Sequence, residues 1–224
     1  MKNAVFVVMA LVMAGCASAP PTVQTGPDAE VSYDGLHLVD NSVFKMAWAD
    51  PDADWARYNK FIPGGAVYEF RAVKKGSSTA RATSSQSEFW IDDKSRAKLE
   101  EETKNIFTEE LAKSTRFTVT DARAADALII RGALHDIVSN VPSTANTAGR
   151  SEVYLSSVGE ATLILEAVDS LSGEVIFRAV ERRAAAPSTG GVRANSVTTW
   201  SEVRRMVRRW ATTLQKGMDS LPTE

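Results

Sequence analysis

Residues 159–184 read GEATLILEAVDSLSGEVIFRAVERRA and carry the strongest structural signal in the chain. In the first half, Leu163, Leu165 and Ala167 alternate with Thr162 and Glu166, so one face is more apolar than the other. The turn SLSG, residues 170–173, then leads into a second alternating run. Two such runs around a short glycine-containing turn predict a β-hairpin.

Two amphipathic helices are predicted, one before and one after the main strands. The first begins near Asp92 or Asp93, either of which can cap it. The last runs from about Ser201 to Leu221, and Thr199 with Glu202 forms a capping box. The apolar stripes are Leu99, Ile106, Phe107 and Leu111, with Thr103 between them, in the first helix and Trp200, Val203, Val207, Trp210, Leu214, Met218 and Leu221 in the last.

The remaining strands set the fold class. Lys60 to Val73 is apolar around a Pro-Gly-Gly break, which predicts a broken or bulged strand. Arg116 to Thr120 and Ala125 to Val138 read as further strands, whereas the stretch from about Glu30 has no clear period and predicts an irregular lead-in. This order predicts an α+β fold: a two-layer domain with a mostly antiparallel or mixed sheet of about four to five strands and two main helices packed on it.

The first residues, MKNAVFVVMALVMAGC, are typical of a bacterial lipoprotein signal. Lys2 precedes an apolar run that is too short to span a bilayer, and small residues lead to Cys16, the chain's one cysteine. We expect lipidation of Cys16, with a plain secretory signal or a signal anchor as the alternatives. The predicted organisation is a signal peptide at 1–15, a flexible tether at 16–29 and a single periplasmic domain at 30–224. By resemblance to the enterobacterial sorting rule, Ala17 favours the outer membrane.

Composition excludes several functional classes. A single cysteine excludes an internal disulfide framework and a cysteine-rich zinc site. A net charge of −2 argues against general nucleic-acid binding, which needs a clustered excess of Lys and Arg. The chain has two histidines, His37 and His135, which leaves little for histidine-based catalysis.

Three segments form a recognisable combination: SYDGLHLVDNSVFKMAW, ADPDADWARYNKFI and the hairpin segment. Together they resemble the bacterial lipoproteins of the domain of unknown function 3313 family. The hairpin positions that match the family pattern are Gly159, Thr162, Leu163, Asp169, Ser170, Gly173, Glu181, Arg182 and Arg183. The resemblance implies an envelope lipoprotein and supplies no catalytic residues.

Acidic and histidine positions are further candidate sites. Asp50, Asp52 and Asp54 alternate like the start of a calcium loop, but Trp55 and Phe61 stand where that loop needs Gly and Glu. We therefore expect an acidic turn and no metal site. His135 and Asp136 are adjacent on a predicted strand, so they should point to opposite faces unless the strand bends.

The candidate partner-binding residues are Arg204, Arg205, Arg208, Arg209, Trp55 and Tyr58. The four arginines lie opposite the apolar stripe of the last helix, where they form either a solvated face or a surface for an anionic partner. The acidic residues of the mature N-terminal portion offer a third possibility, pairing within the fold. Trp55 and Tyr58 either anchor a partner or pin the lead-in to the body.

These observations lead to a functional expectation. The chain is predicted to be an outer-membrane lipoprotein that faces the periplasm and acts as a non-catalytic binding or scaffolding module, with no cofactor other than the lipid on Cys16. Its expected partners are the membrane, through the acyl chains, and envelope proteins or an anionic envelope polymer, but not nucleic acid. The alternatives are an envelope enzyme that acts on peptidoglycan or lipid, and a carrier with a small-ligand pocket between helix and sheet.

Overall fold

One large mixed sheet and two α-helices form most of the structure that is described. The computed structural model describes residues 19–74, 88–142 and 154–221. The strands in these ranges are β1 (Thr22–Val23), β2 (His37–Asp40), β3 (Met46–Ala49), β4 (Lys60–Phe70), β5 (Thr118–Val119), β6 (Ala127–Ser139), β7 (Tyr154–Leu155), β8 (Gly159–Asp169), β9 (Val175–Ala185) and β10 (Val192–Arg193). The helices are α1 (Asp93–Leu111), α2 (Ser196–Asp219) and a short 3-10 helix (Trp55–Arg57).

The main sheet has eight strands in the order β1-β2-β3-β9-β8-β6-β4-β5, and β7 pairs separately with β10. The α+β class is confirmed, but the predicted four to five strands were too few. The strands that were not predicted, β1, β2 and β3, are only two to four residues long, whereas β5 lies within the strand predicted at Arg116 to Thr120. Strands this short do not carry enough alternating positions to be recognised from the sequence.

The predicted hairpin is confirmed and lies near the centre of the sheet. β8 pairs antiparallel with β9, and Leu165 lies opposite Ala179. Leu163, Leu165 and Ala167 are all buried, as their alternation predicts. Gly173 closes the turn at a φ of +80°, a conformation that favours glycine.

The lead-in is more regular than its sequence suggests. β2 pairs with β3, and β3 continues the sheet by pairing with β9, with Met46 opposite Val180. β1 lies within the predicted tether, yet Val23 pairs with Val39 of β2. The N-terminal segment therefore extends the hairpin edge of the sheet instead of wrapping around the body.

The other half of the sheet contains a parallel pair. β4 runs parallel to β6, and their register shifts between Pro63 and Ala66, where Gly65 has a φ of +84°. The predicted bulge in this strand is confirmed. Parallel neighbours need a long crossover, and here α1 supplies it.

Both helices cover the same face of the sheet. α1 begins at its predicted cap, because the Asp92 carboxylate accepts a hydrogen bond from the Ser95 amide at 2.7 Å. α2 begins earlier than predicted: Asn195 caps it, so the proposed Thr199–Glu202 capping box is wrong. The core joins apolar residues of both helices to the inner sheet residues. Neither helix, nor any other helix in the described ranges, is long and apolar enough to cross a membrane.

Candidate functional site

A cleft of about 730 Å³ separates α1 from the β4 half of the sheet. Its floor is the inner face of β6 and β8, its one wall is α1, and its other wall is β4. Ligand pockets in proteins commonly enclose roughly 300–1,000 Å³. The apolar lining residues are Phe61, Ala66, Phe107, Leu111, Val119, Ile130, Leu134, Leu163 and Leu165.

Small residues keep the cleft open. Gly132 lies in the floor between Ile130 and Leu134, and a Cβ added there would come no closer than 3.5 Å to its nearest neighbour, Leu165 Cδ2. The middle of β4 is Pro-Gly-Gly-Ala, residues 63–66, all exposed. Helix and strand therefore lack the large side chains that would close the gap between them.

Thr103 lies in the lining of the cleft with its hydroxyl oxygen turned away from solvent. The residue is only 4% exposed, and its Oγ1 is inaccessible and makes no hydrogen bond with any residue that the structure describes. A buried hydroxyl without a hydrogen bond is costly, and a threonine inside a helix usually bonds to the preceding turn. The Tyr68 hydroxyl donates instead to the Glu100 carbonyl oxygen at 3.3 Å. Burial raises the pKa of Tyr68, and the nearby Thr103 hydroxyl partly offsets this without reaching hydrogen-bond geometry.

The rim of the cleft has charges of both signs. Glu100, Glu101 and Lys104 are exposed on α1 and make no ion pair with any residue that the structure describes. Arg131 also lines the cleft and pairs with Glu166 at 2.7 Å, so the lining contains two carboxylates and two cations and has no net charge. The arrangement can therefore hold an apolar group in the interior and a polar group at the rim.

Three of the four predicted arginines are neutralised within the fold. Arg204 donates to Glu102 at 3.0 Å, and Arg208 donates to Glu109 and Glu110 at 3.1 Å each. These bonds fasten α2 to α1. Arg205 pairs with Glu202 on its own helix at 2.6 Å, while Arg209 has no ion pair in the described part of the chain. The carboxylates that pair with them come mainly from α1, not from the acidic N-terminal portion.

A shallow depression of about 530 Å³ remains beside this arginine face, lined by the four arginines, Lys216 and hydroxyl residues of α2. Lys113 and the Thr212 hydroxyl bond to Glu110, and they and Arg208 keep the pKa of Glu110 below its usual value despite its burial. The depression is therefore lined by cations whose positive charge is partly neutralised by the carboxylates of α1.

Tyr58, a predicted partner-binding residue, faces the interior. It is 1% exposed, and its hydroxyl donates to Asp169 Oδ2 at 2.8 Å. Trp55 is half-buried and packs against the core. The Arg57 guanidinium contacts both Tyr58 and Asp169. Trp55 and Tyr58 were expected either to anchor a partner or to pin the lead-in to the body. These contacts match the second alternative, since they hold the lead-in against the hairpin turn.

The pKa values of Tyr58 and Asp169 in this cluster are strongly shifted. Burial raises the pKa of Tyr58 to about 12, and the bond to Asp169 adds to the effect. Burial would also raise the pKa of Asp169, but the Ser172 and Leu171 amides, the Tyr58 hydroxyl and Arg57 together lower it to about 2. Asp169 is thus a fixed anion that organises the turn.

The residues that match the family pattern have architectural roles. Gly159 packs so closely that an added Cβ would lie 2.3 Å from the Val138 carbonyl oxygen. Ser170 is fully buried, and its hydroxyl donates to the Ala124 carbonyl at 2.7 Å and accepts from the Ala124 amide at 3.0 Å. Together with Asp169 and Gly173, these residues shape the hairpin and its turn.

The expected separation of His135 and Asp136 is wrong, because the strand is bulged. The register with β8 shifts between His135 and Val138, and Asp136 has a φ of +54°. Thr162 lies opposite His135 and therefore marks the His135 face of the sheet. Arg182 donates to both Thr162 and Asp136, so the Asp136 side chain lies on that same face. Arg71 and Arg182 hold the pKa of Asp136 well below its usual range, which leaves it a paired anion.

Two further predictions concern Cys16 and the acidic triplet. Cys16 lies outside the described residues, as do most of the signal and tether segments. In the triplet, Asp50 accepts a hydrogen bond from the Asp52 amide at 2.9 Å, which forms a turn before Trp55. Among residues 19–74, 88–142 and 154–221, no group of three or more His, Cys, Asp or Glu is placed to hold a metal ion.

Comparison with solved structures finds distant similarity. The PelC dodecamer from Paraburkholderia phytofirmans is 12% identical, with 75% of this chain and 94% of that chain covered and a TM-score of 0.36. XCC0632 from Xanthomonas campestris is 13% identical, with 75% of this chain and 86% of that chain covered and a TM-score of 0.39. The hypothetical protein CT253 from Chlamydia trachomatis is 8% identical, with 72% of this chain and 98% of that chain covered and a TM-score of 0.36. Similarity at this level supports no functional conclusion.

Comparison with proteins of known sequence gives a family but no characterised relative. No curated protein matches the chain. A family model does match residues 29–214, which are most of the chain and include α1, most of α2 and all the strands of the main sheet except β1. The chain therefore belongs to the family described as protein of unknown function (DUF3313).

Proposed function

We propose that this chain is an outer-membrane lipoprotein whose folded domain faces the periplasm and acts as a non-catalytic binding module, with the cleft between α1 and β4 as its binding site. The observation that carries the proposal is the cleft itself, which has a volume of about 730 Å³, a largely apolar lining and charged side chains at its rim. An apolar pocket with a few placed polar groups is the usual form of a ligand site.

The membrane anchor is proposed from the sequence. Lys2, the short apolar run and the small residues before Cys16 support cleavage and acylation at that cysteine. Several acyl chains on Cys16 would hold the domain at the membrane far more firmly than one chain can.

The ion pairing of the buried carboxylates favours binding over catalysis. Asp169 pairs with Arg57, Glu110 with Lys113 and Arg208, and Glu202 with Arg205. A general acid needs a raised pKa, whereas the pKa values of Asp169 and Glu110 are lowered. These groups are suited to structural roles.

The proposal is tested in cells with a photoreactive amino acid at Ala66, which is exposed on the cleft wall, and with a matched control at Val197, which is exposed away from the cleft. We expect a specific adduct at Ala66 and none at Val197. Labelling with palmitate should be lost in Cys16→Ala. Equal, nonspecific labelling at Ala66 and Val197 would contradict the binding site in the cleft. Palmitate uptake by Cys16→Ala would contradict the lipid anchor.

The depression beside the arginine face favours a second candidate, scaffolding against an anionic envelope polymer or an acidic envelope protein. Its carrying observation is Arg209, which lies beside Lys216 and which, of the four arginines of this depression, is the one without an ion pair to the described residues. We expect Arg209→Glu to abolish cosedimentation with such a polymer while Thr213→Glu, on the same lining, has a smaller effect. Unchanged cosedimentation would remove this candidate.

A further inference from the structure

We propose that the arginine face of α2 is the surface that this domain turns toward its own membrane, where it binds the phosphate head groups of anionic lipids. This inference rests on the proposed lipid anchor at Cys16, and it names the anionic partner of the arginine face as the bilayer itself. Its support comes from the place where the N-terminal segment leaves the fold and from the distribution of charge around that place.

The N-terminal segment is fastened to the sheet close to the proposed anchor. Gln24 makes much of the attachment, because its backbone amide donates to the Leu38 carbonyl oxygen and its side chain donates to Asp40 Oδ1, each at 2.9 Å. Thr22 also pairs with Asp40. From Cys16 to Thr22 the chain advances by six residues, which span at most about 20 Å when fully extended. The acyl chains can therefore enter a bilayer only if the surface near Asp40 lies close to it.

The C-terminal end of α2 adjoins that surface. Asp40 ends β2, and Val43 follows in the turn that leads to β3. Val43 is exposed, and a Cβ added to Gly217 of α2 would lie 3.7 Å from Val43 Cγ2. The residue before Gly217 is Lys216, which lines the depression beside the arginine face. The point where the tether leaves the fold and the cationic depression are therefore on adjoining parts of the molecule.

Three cations in this region lack a compensating carboxylate. Arg209 and Lys216 line the depression, and Lys45 is exposed in the turn between β2 and β3. None of the three makes an ion pair with a residue that the structure describes. A cation close to an anionic leaflet strengthens the attraction by about fivefold, so three of them give on the order of 100-fold. That is enough to orient a domain that its lipid already holds at the membrane, because the anchor keeps the local concentration high.

The face of the sheet that the helices leave uncovered offers no such attraction. Arg178 and Arg182 lie on that face, since they alternate with residues that point to the helices, such as the buried Ala179. Each of these two arginines pairs with two carboxylates. Their positive charge is therefore neutralised within the fold.

The edge formed by β1 and β2 is acidic. Asp28, Glu30 and Asp40 are exposed along this segment, and an anionic leaflet would repel their carboxylates. Of the described surfaces around the tether exit, the arginine face of α2 is thus the one that an anionic leaflet attracts. The short tether brings this face to lipid before it can meet a more distant polymer or protein.

The test uses the full acylated chain in nanodiscs of equal parts phosphatidylglycerol and phosphatidylcholine. A photoreactive amino acid is placed in turn at Val43, at Thr213 in the depression, and at Val67, which is exposed on β4 in the other half of the sheet. We expect lipid adducts at Val43 and Thr213 to exceed those at Val67 by about fivefold or more. In phosphatidylcholine alone, the adduct at Thr213 should fall by about tenfold or more, while the adduct at Val43, beside the anchor, persists. Equal adducts at Val67 and Thr213, or a Thr213 adduct independent of lipid charge, would overturn the proposal.

Matched charge reversals test the cation itself. Arg209 lies in the depression and Lys94 at the start of α1, and both are exposed, so the fold should persist in either variant. Arg209→Glu should reduce the lipid adduct at Thr213 by about fivefold or more, and Lys94→Glu should change it by less than about twofold. High salt should weaken the Thr213 adduct of the wild type. Equal effects of the two variants, or capture of a protein or polymer at Thr213 in cells in place of lipid, would overturn the assignment.

Failure of this inference differs from failure of the proposed function. If palmitate labels the chain at Cys16 but Thr213 gives no more lipid adduct than Val67, the orientation is wrong and the anchor stands. If palmitate still labels Cys16→Ala, the anchor is wrong and this inference falls with it. Capture at Ala66 tests the cleft independently of both.

Discussion

The two helices cover the same sheet unequally. α2 fills its contact with large side chains, and Trp210 and Val207 are completely buried. α1 is held against α2 by ion pairs, but on its β4 side it leaves the cleft open around Gly132. The comparison teaches that stability and binding occupy different parts of this domain: the packed part under α2 holds the fold, so the part beside α1 can remain open.

The largest expected difference between the two parts comes from removing an aromatic ring in each. Trp210→Ala leaves a cavity in the packed part and should lower the free energy of unfolding by about 3–5 kcal/mol. Phe107→Ala, on the half-buried wall of the cleft, should cost only about 1 kcal/mol. Urea unfolding of both variants measures this. Equal losses would mean that the cleft side is packed as tightly as the α2 side.

Two glycines provide a second comparison. Gly159→Ala places its Cβ against the Val138 carbonyl, so backbone must shift, and we expect a loss of about 1–3 kcal/mol. Gly132→Ala adds a methyl group at ordinary van der Waals distance from Leu165 Cδ2, 3.5 Å, and should change stability by less than about 0.5 kcal/mol. Thermal unfolding followed by circular dichroism gives both values. A large loss in Gly132→Ala would show that the cleft floor is already closed.

Acid should loosen the hairpin turn at Asp169 before it affects the cleft. The pKa of Asp169 is about 2 in the folded protein against a reference of 3.8, so its contribution is present above about pH 4 and is lost as the pH falls toward 2. Compared with Asp169→Asn, the wild type should be more stable by about 2 kcal/mol at pH 7, and the gap should narrow through that window. The pKa of Tyr68 in the cleft is raised, so its hydroxyl stays protonated throughout. A gap independent of pH would contradict the assignment.

The smallest effect concerns the bond between the helices. Arg208→Ala removes a cation from Glu109 and from the buried Glu110, and we expect a loss of about 0.5–1 kcal/mol, reduced by high salt. Arg209→Ala is the matched control and should have no effect on stability. Chemical unfolding at low and high ionic strength distinguishes them, and indistinguishable variants would mean that the interhelical ion pairs do not hold α1 in place.

Local patterns predicted the elements of this fold better than their arrangement. The hairpin, the cap at Asp92 and the bulged β4 follow from neighbouring residues, so the sequence showed them. The pairing of β3 with β9 joins distant segments, and nothing in four residues of β3 indicates that partner. The bulge at Asp136 was missed for a similar reason, since an aspartate with positive φ has no distinct pattern in a strand.

The candidate site was predictable only in type. A pocket between helix and sheet was one expected alternative, but its position depends on how far α1 stands from β4. Gly132 and Thr103 were the available signals: a glycine within a strand indicates an open or closely approached position, and a threonine in an apolar stripe indicates a buried hydroxyl. Neither residue shows by itself that both line the same space.

The position of β9 between β3 and β8 determines the order in which the strands can assemble as the chain is synthesised. Synthesis delivers β1, β2 and β3 early, but in the described sheet they join the rest only through β9. Until β9 has been made, the apolar residues of β3, such as Ala47 and Ala49, have no completed sheet to join. The N-terminal strands must therefore wait for the late hairpin, and the unfinished chain exposes an unpaired edge that a chaperone can protect.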